Sequence, residues 1–505
     1  MQTDKECLRF LFIGEERICK QIAYVLSIDN YDIQNFSFLE NDSSKKIFKQ
    51  QNYKIYICEF KNKAKKLLKN KKFLFKLKNI FFLNEICYSL DKEYKMVCYR
   101  RRFKIYERLR QTSIFSSLKF LIYDFIKTIY HRLKCFQTMR SIKKFNYEKA
   151  KKEQLKYLKP SELFLYVLNA PLNKHIQCTI LEKELHLIDS RIAGCCGAIV
   201  PFGDLLKDES LEVAYNSTYA RIIKLSSLNN SYCLCDVINQ RCPFYKKKEN
   251  NINLKPLITP KIPECIVVSI DSTCNLCCKS CRNEFYVLTD KKRKELNIMQ
   301  EKILSSSYIN QAKTLLFAAS GEVFYSPTYR RLLDSNLKRD SIYILSNGIL
   351  FNENNYNWLK EKFSIIDVRI SVDAATKETY TKLRGGNFDT LMKNLEMISD
   401  LHSRGKVREF ILNFVVQRDN FQEMPSFVKL GKNLGVDFVE FQHLCNFGNL
   451  TNEEFLSRSL IINNEYLSLE LWNLLQNPIF EDPIVDLQGF NRYIEMSKLY
   501  YNKKN

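Results

Sequence analysis

A partial (β/α)6 barrel, preceded by a small α/β domain and a cysteine-rich domain, is the α/β architecture that this 505-residue sequence predicts. Three observations carry that expectation. From Glu264 to about residue 450 a strand-length apolar run followed by a helical pattern recurs six times, and parallel strands need such crossovers to return the chain to the same end of the sheet. Each run ends in a short polar signature, which gathers six polar ends at one rim, where function collects in parallel barrels. Three cysteines stand in the loop after the first run.

Residues 1–90 alternate short apolar runs (8–13, 54–58 and 79–83) with a helical pattern from Gly14 to about Leu26, the mark of a small α/β unit. Gly14 stands outside any Gly-x-Gly-x-x-Gly pattern and reads as fold rather than phosphate site. Residues 91–160 read as helical and basic, completing an N-terminal region of 1–160. Residues 51–160 hold 30 Lys and Arg against 8 Asp and Glu, so nearly all of the formal charge of +23 lies there. Such a surface suits an anionic partner: nucleic acid, an anionic membrane face, or an acidic protein or glycan. A solvated lysine face is the plain alternative. The opening residues are polar, and the best spanning candidate, 113–130, carries Lys119, Asp124 and Lys127. No membrane span is therefore expected, and the location is expected to be cytoplasmic. There thiols stay reduced and clustered cysteines signal metal rather than disulfides.

Residues 161–245 form the cysteine-rich domain, with turns at Gly194, Gly197 and Gly203 and a helix near 210–224. Four ligand places follow: Cys178, one of Cys195 and Cys196, one of Cys233 and Cys235, and Cys242. Iron–sulfur and zinc fit that spacing equally well. A charged linker, 246–263, leads to the core of 264–450.

The core strands are expected at 266–270, 314–319, 341–345, 367–372, 410–416 and 438–442, with helical patterns between, for example 388–401 and 424–434. Their polar ends are Asp271, Ser320-Gly321-Glu322, Ser346-Asn347-Gly348, Ser371 with Asp373, Gln417, and Gln442-His443. Cys274, Cys278 and Cys281 follow the first strand at spacings of four and three. The same spacing puts three residues on one helical face, where cysteines pack as core. A structural zinc wants a fourth thiolate, which Cys277 is badly placed to give, since adjacent side chains diverge. A [4Fe-4S] cluster on three thiolates keeps one iron open for a ligand. His443 is the one histidine at a strand end and is a candidate to touch substrate; Cys445 nearby reads as packing. Residues 451–505 read as a C-terminal helical extension.

The Cys-x3-Cys-x2-Cys loop, with Ile-Ser-Val-Asp-Ala-Ala-Thr-Lys-Glu-Thr-Tyr-Thr-Lys-Leu-Arg-Gly-Gly at 370–386 and Phe-Val-Val-Gln-Arg-Asp-Asn at 414–420, resembles the radical S-adenosylmethionine (SAM) enzymes over roughly 185 residues. The branch it looks like modifies peptides, proteins or sugar-related substrates. The resemblance implies cluster ligation by Cys274, Cys278 and Cys281 and SAM contacts from Ser320, Gly321 and Glu322 at its amino group. It also implies contacts from Ser371 and Asp373 near its ribose and from Arg384 at a carboxylate, with Asn347 and Gly348 in the turn after the third strand. Ser280 stands where the family often has an aromatic residue, and Ser320 replaces a glycine. The stretch 211–243 resembles the SPASM or twitch domain, which implies an auxiliary [4Fe-4S] cluster, here placed before the core rather than after it. The activity implied is reductive cleavage of SAM and hydrogen abstraction from a peptide, protein or glycan-related substrate, fed by a low-potential donor of the ferredoxin or flavodoxin kind. An RNA-modifying enzyme of the same superfamily and a non-catalytic iron–sulfur electron-transfer or scaffold protein are the alternatives.

Overall fold

The structure, a computed structural model, describes the backbone of residues 9–13, 16–26, 32–34, 53–57 and 80–82. It further describes residues 155–173, 176, 178–207, 210–235, 259–282, 284–317, 320–446 and 450–502. Cys242, most of the expected linker and most of the basic stretch lie outside the described residues. These divide into two compact units, one of residues 1–173, 216–234 and 253–259, the other of 174–215, 235–252 and 260–505.

The first unit holds a parallel sheet of β1 (Arg9–Ile13), β2 (Asp32–Gln34), β3 (Tyr53–Ile57) and β4 (Ile80–Phe82) in the order β2-β1-β3-β4. Helix Glu16–Val25 follows β1 and buries Cys19, Ile22, Ala23 and Val25, which recur at helical spacing on one face. Helix Thr218–Leu228 starts at Ser217, whose hydroxyl accepts from Ala220 N, and its Arg221 donates Nε to the Val25 carbonyl at 2.8 Å. That bond satisfies a carbonyl in the last turn of helix Glu16–Val25. Helix Pro160–Asn169 lies in the same unit, tied by Asn229 Nδ2 to the Val167 carbonyl at 3.0 Å.

The second unit is built on a ten-stranded sheet. Its strands are β5 (Glu184–Ile188), β6 (Arg191–Ala193), β7 (Gly203–Asp204), β8 (Cys265–Ser269), β9 (Thr314–Phe317) and β10 (Ser341–Ser346). To these it adds β11 (Ile365–Ser371), β12 (Glu409–Val416), β13 (Phe438–His443) and, beyond the short hairpin β14 (Ile461–Ile462) and β15 (Tyr466–Leu467), β16 (Val485–Asp486). The order is β16-β13-β12-β11-β10-β9-β8-β5-β6-β7. The six expected core strands are β8 to β13, neighbours in chain order and all parallel.

The two faces of this sheet differ in kind. Ile342 and Ile344, Ile366, Val368 and Ile370, Phe410, Leu412 and Phe414, Val439 and Phe441 all bury on one face. Helices cover it: Phe427 of Met424–Leu434 meets Phe414 at 4.8 Å between ring centroids. Each such side chain contributes about 1.5–3 kcal/mol by leaving water. Register puts Tyr343, Arg369, Glu409, Asn413, Glu440 and Gln442 on the other face, among Leu345, Ile411, Val415 and Phe438, so that it is far more polar than the first. A cavity of about 540 Å³ opens there, lined by Tyr343, Arg369, Glu409, Ile411, Phe438 and Asp486 among others. Parallel sheets are ordinarily covered by apolar packing on both faces, so a polar, open one is a place for a ligand.

One expectation is corrected. Residues 161–245 are expected as a single domain, but they are shared: 216–234 go with the first unit, whereas 174–215 extend the sheet of the second. The reason lies in β5. It pairs in parallel with β8, and Leu185 and Leu187 carry the buried apolar face on past Ile266 and Val268, covering what would otherwise be an open edge. The sheet also runs beyond 450, because β16 pairs with β13.

Candidate functional site

The loop after β8 is fixed before any thiol is placed. Asp271 is fully buried; its Oδ1 accepts from Thr273 N at 2.9 Å and Thr273 Oγ1 at 2.7 Å, and its Oδ2 from Ser326 Oγ at 2.6 Å. Tyr329 donates its hydroxyl within reach of the Asp271 and Ser320 carbonyls, both at 3.0 Å. Gly321, at φ 74°, packs so closely on this loop that a Cβ there would lie 2.3 Å from the Asp271 carbonyl oxygen. Only glycine fits both the left-handed backbone and the space. Ser320 exchanges a 3.0 Å hydrogen bond with Ser269 across the same strand ends.

That frame carries Cys274, Cys278 and Cys281. Cys278 is buried, and its thiol lies within electrostatic reach of Cys281 and Cys274. Burial pushes Cys278 up to about 11, with Arg384 pulling the other way. Cys274 is also raised, chiefly by burial. Each sulfur has polar company: Asn347 Nδ2 donates to Cys274 Sγ at 3.7 Å, Arg282 Nη2 to Cys281 Sγ at 3.6 Å, and Cys278 Sγ reaches the Arg384 carbonyl at 3.8 Å. Cys277 turns away, its thiol on the Arg282 carbonyl at 3.7 Å.

Glu322 is 1 % exposed, and both its oxygens are engaged, Oε1 by Ser346 Oγ and Oε2 by Asn347 N, each at 2.7 Å. Burial raises its pKa, partly offset by those bonds. It thereby clamps the end of β9 to the end of β10 and aims Asn347 at Cys274. Gly348, at φ 79°, makes the turn that follows. Asp373, also left-handed at φ 63°, accepts from Arg384 Nη1 at 2.5 Å and from Val415 N at 2.7 Å. Arg384 is 8 % exposed. Burial alone disfavours its charge, but Cys278 and Asp373 beside it outweigh that and hold it firmly protonated. Ser371 ends β11 on the polar face, in register with Asn413.

Cys178, Cys195, Cys196 and Cys235 bring a second thiol group together in the same unit. Cys195 is pushed well up by burial and then by Cys235, Cys196 and Cys178. A bridge between Ala198 and Cys235 brings the last of these in, and Cys178 Sγ accepts from Ile180 N at 3.3 Å. Cys233 belongs to the first unit, where Ser231 Oγ donates to it at 3.4 Å and burial pushes it up to about 11. His443 does not sit on the polar face: it is buried in register with Val416, its ring 5.1 Å from Tyr493 and its Nδ1 3.7 Å from Cys445 Sγ. Side-chain alternation, which puts 443 on the face of 439 and 441, is the reason.

Whether the residues suit a cluster and its ligand can be tested on their donors. Among the described residues no three His, Cys, Asp or Glu are arranged to hold a single metal ion. Arg384 Nε and Tyr380 Oη are shut from solvent and have no hydrogen-bond partner among the described residues, and both groups border Cys278. Buried donors left over beside a metal-binding loop fit a ligand that brings acceptor oxygens. Tyr343, Arg369, Glu409 and Glu440 are polar residues at alternate positions of otherwise apolar strands, and Glu409 begins β12, at the end of the sheet away from the cysteine loop.

No family model matches the chain. It is 25% identical over 189 residues to AdoMet-dependent heme synthase of Oleidesulfovibrio alaskensis, covering 36% of this chain and 47% of that one. It is 29% identical over 203 residues to a probable GTP 3′,8-cyclase of Saccharolobus islandicus, covering 37% of this chain and 59% of the relative. The chain thus spans about half the length of these curated relatives. Among solved structures, Streptococcus suis SuiB bound to S-adenosylmethionine matches with a TM-score of 0.33 and 16% identity, over 46% of this chain and 53% of that one. The curated similarity, to radical SAM enzymes, is thus confined to somewhat more than a third of this chain, and the three-thiol loop stands at the end of the first of its six parallel core strands.

Proposed function

We propose that the protein carries a [4Fe-4S] cluster on Cys274, Cys278 and Cys281, leaves one iron open to SAM, and abstracts hydrogen from a peptide, protein side chain or glycan-related substrate. The strands β8 to β13 act as a partial barrel around it. The observation that carries this reading is the buried Cys278 within electrostatic reach of Cys274 and Cys281, with the Arg384 and Tyr380 donors beside it.

When bound, cluster and SAM supply one-electron reduction and hydrogen-atom abstraction. The chain's residues bind, orient and exclude water. Arg384, held by Asp373, offers a fixed cation with an unspent Nε–H to a carboxylate. Gly321 brings backbone close to the loop, and Glu322 fixes Asn347, whose amide touches Cys274. Ser371 and the polar face beyond it, with Arg369 paired to Glu440 at 3.0 Å, receive the substrate. The curated relatives are named for heme and GTP, two unlike molecules, so similarity selects no substrate. The polar lining favours one rich in hydrogen-bonding groups.

Cys178, Cys195, Cys196 and Cys235 are the candidates for an auxiliary [4Fe-4S] cluster of SPASM or twitch type, which would take up the electron left on substrate. Cys242, outside the described residues, and Cys233 remain in the candidate set. A low-potential carrier feeds the first cluster, and a cytoplasmic setting would keep these thiols reduced; among the described residues no helix is long and apolar enough to cross a membrane.

Anaerobic reconstitution with iron and sulfide, reduction, and assay for 5′-deoxyadenosine from SAM test the reading. Iron–sulfur absorbance and 5′-deoxyadenosine are expected. Colourless protein holding zinc, or an iron protein that never cleaves SAM, overturns it.

A further inference from the structure

In parallel α/β proteins chemistry gathers at the carboxyl ends of the strands, and the opposite end ordinarily serves stability. This sheet keeps its cavity of about 540 Å³ toward that opposite end. Tyr343 and Glu409 line it from one row across the strands, both in register with Asp367. Arg369 and Phe438 line it from the next row, both in register with Ile411. Neither Ser371 nor any residue of the cysteine loop is part of the lining.

The polar groups of this lining are unbalanced in two ways. Arg369 Nε and Tyr343 Oη are shut from solvent and have no hydrogen-bond partner among the described residues. Burial pushes the Tyr343 phenol up, with Arg369 opposing and Glu409 adding to the rise, so the hydroxyl keeps its proton and stays a donor. Two donors left over at one cavity call for an acceptor oxygen. The second imbalance is a carboxylate. Arg369 is taken by Glu440 at 3.0 Å, and Arg408 by Asp367, Nε to Oδ1 at 2.8 Å. Glu409, in register with Asp367, makes no salt bridge among the described residues, and Asp486 brings a further carboxylate to the same cavity. Ile411, Val485 and Leu487 add an apolar wall beside Phe438.

We propose that this cavity is a second ligand site, apart from the cysteine loop, and that it holds a small amino acid with an apolar side chain. The carboxylate lies toward Arg369 and Tyr343, the ammonium toward Glu409 and Asp486, and the side chain against Phe438 and Ile411. The inference goes beyond the cluster reading and does not depend on it. A ligand bearing both charges is what the lining selects. An anion alone would lie among Glu409, Glu440 and Asp486, and a cation alone would leave the Arg369 and Tyr343 donors without an acceptor. The volume falls within the range of small-molecule sites, about 300–1,000 Å³, and leaves room for water beside a single amino acid. With no residue of the cysteine loop in the lining, the ligand is held rather than transformed. Arg369, through Glu440, also belongs to the face given to substrate, so the two sites share one ion pair and occupancy of one can bias the other.

Equilibrium dialysis of labelled L-phenylalanine and L-leucine against the oxidised, reconstituted holoprotein tests the site. SAM is itself an amino acid, so it is kept in excess to fill its own subsite. Saturable binding of at least one probe is expected. Phenethylamine and 3-phenylpropionate, each lacking one of the two charges, should compete roughly tenfold less well or worse than L-phenylalanine. Glu409→Gln should weaken the amino acid by a similar factor and remove its advantage over 3-phenylpropionate, which a loss of fold would not do selectively. Tyr343→Phe should weaken the amino acid and 3-phenylpropionate together. Iron content and SAM binding should match wild type in both variants. The same dialysis on Cys278→Ala should give wild-type probe binding, which keeps the result apart from the fate of the cluster reading. No saturable binding of either amino acid overturns the site, as do single-charge analogues that bind equally well or variants that bind as wild type does. Release of the probe by excess SAM, or its consumption when the protein is reduced, also overturns it, by placing the probe at the cluster instead.

Discussion

Two groups of thiols lie in the second unit; both are raised by burial, and they differ in what opposes the rise. Around Cys278, burial raises the thiol but Arg384 works against that, and N–H donors from Asn347 and Arg282 reach the flanking sulfurs. Around Cys195, burial and three further thiols all act the same way, and the Gly197 amide is what opposes them. A metal cluster bound at either group would have to take the thiols as thiolates, against that rise. The first group also has donors left over and sits where strand ends converge. The second is sulfur facing sulfur. The difference teaches which can serve chemistry: an open site needs partners that are not ligands, and a closed one needs none.

Ranked by the iron each should remove, the substitutions begin with Cys278→Ala. It should abolish 5′-deoxyadenosine formation and remove about four iron atoms per chain while leaving any second cluster in place. Cys195→Ser comes next. It should remove the other set of iron while SAM cleavage without substrate survives, as shown by iron analysis beside the 5′-deoxyadenosine assay. If either substitution strips all iron and both signals, the two groups are one site and the comparison fails.

How much of this was legible beforehand depends on reach along the chain. The six core strands are legible because each is an apolar run that buries one face locally, and the cysteine loop because its spacing lies within eight residues. The clamp of Glu322 on Asn347 is not, since it joins residues 25 apart whose meeting depends on β9 and β10 being neighbours. Nor is the pairing of β5 with β8, which crosses some eighty residues and takes the expected cysteine domain apart. Cys233 and Cys235 are equivalent in the sequence; the bridge from Ala198 to Cys235, a tertiary fact, separates them. His443 fails for a simpler reason. Its place at a strand end makes it a candidate, whereas alternation decides which face a side chain takes.

Arg384→Met sharpens the contrast at lower cost in iron. It leaves Asp373 buried and unpaired, for which about 3–5 kcal/mol of stability is expected to be lost. Thermal unfolding of the apoprotein should show that loss, and the loaded protein should keep its cluster but bind SAM more weakly in equilibrium dialysis. Arg384→Lys should recover part of the stability and little of the SAM affinity, because an ammonium cannot replace a forked guanidinium. SAM binding at the wild-type level in Arg384→Met would mean that the cation serves the fold alone.

Cys265 supplies the smallest effect and the control for all the others. It begins β8, at the opposite end of the strand from the loop, and no second thiol figures in its surroundings. Burial, then Glu184, pushes it from 9.0 up to about 12, with Arg339 pulling back. A raised thiol favours the neutral form in the folded protein, so its contribution to stability is present below pH 9 and is lost as pH climbs toward 12. At pH 9 it should hold two to three orders of magnitude less thiolate than an ordinary cysteine, roughly tenfold for each unit of pKa. Alkylation of the apoprotein mapped by mass spectrometry should therefore find Cys281, exposed, modified long before Cys265, and Cys265→Ser should leave iron unchanged. Iron lost on that substitution would put Cys265 among the ligands and dissolve the division into two groups.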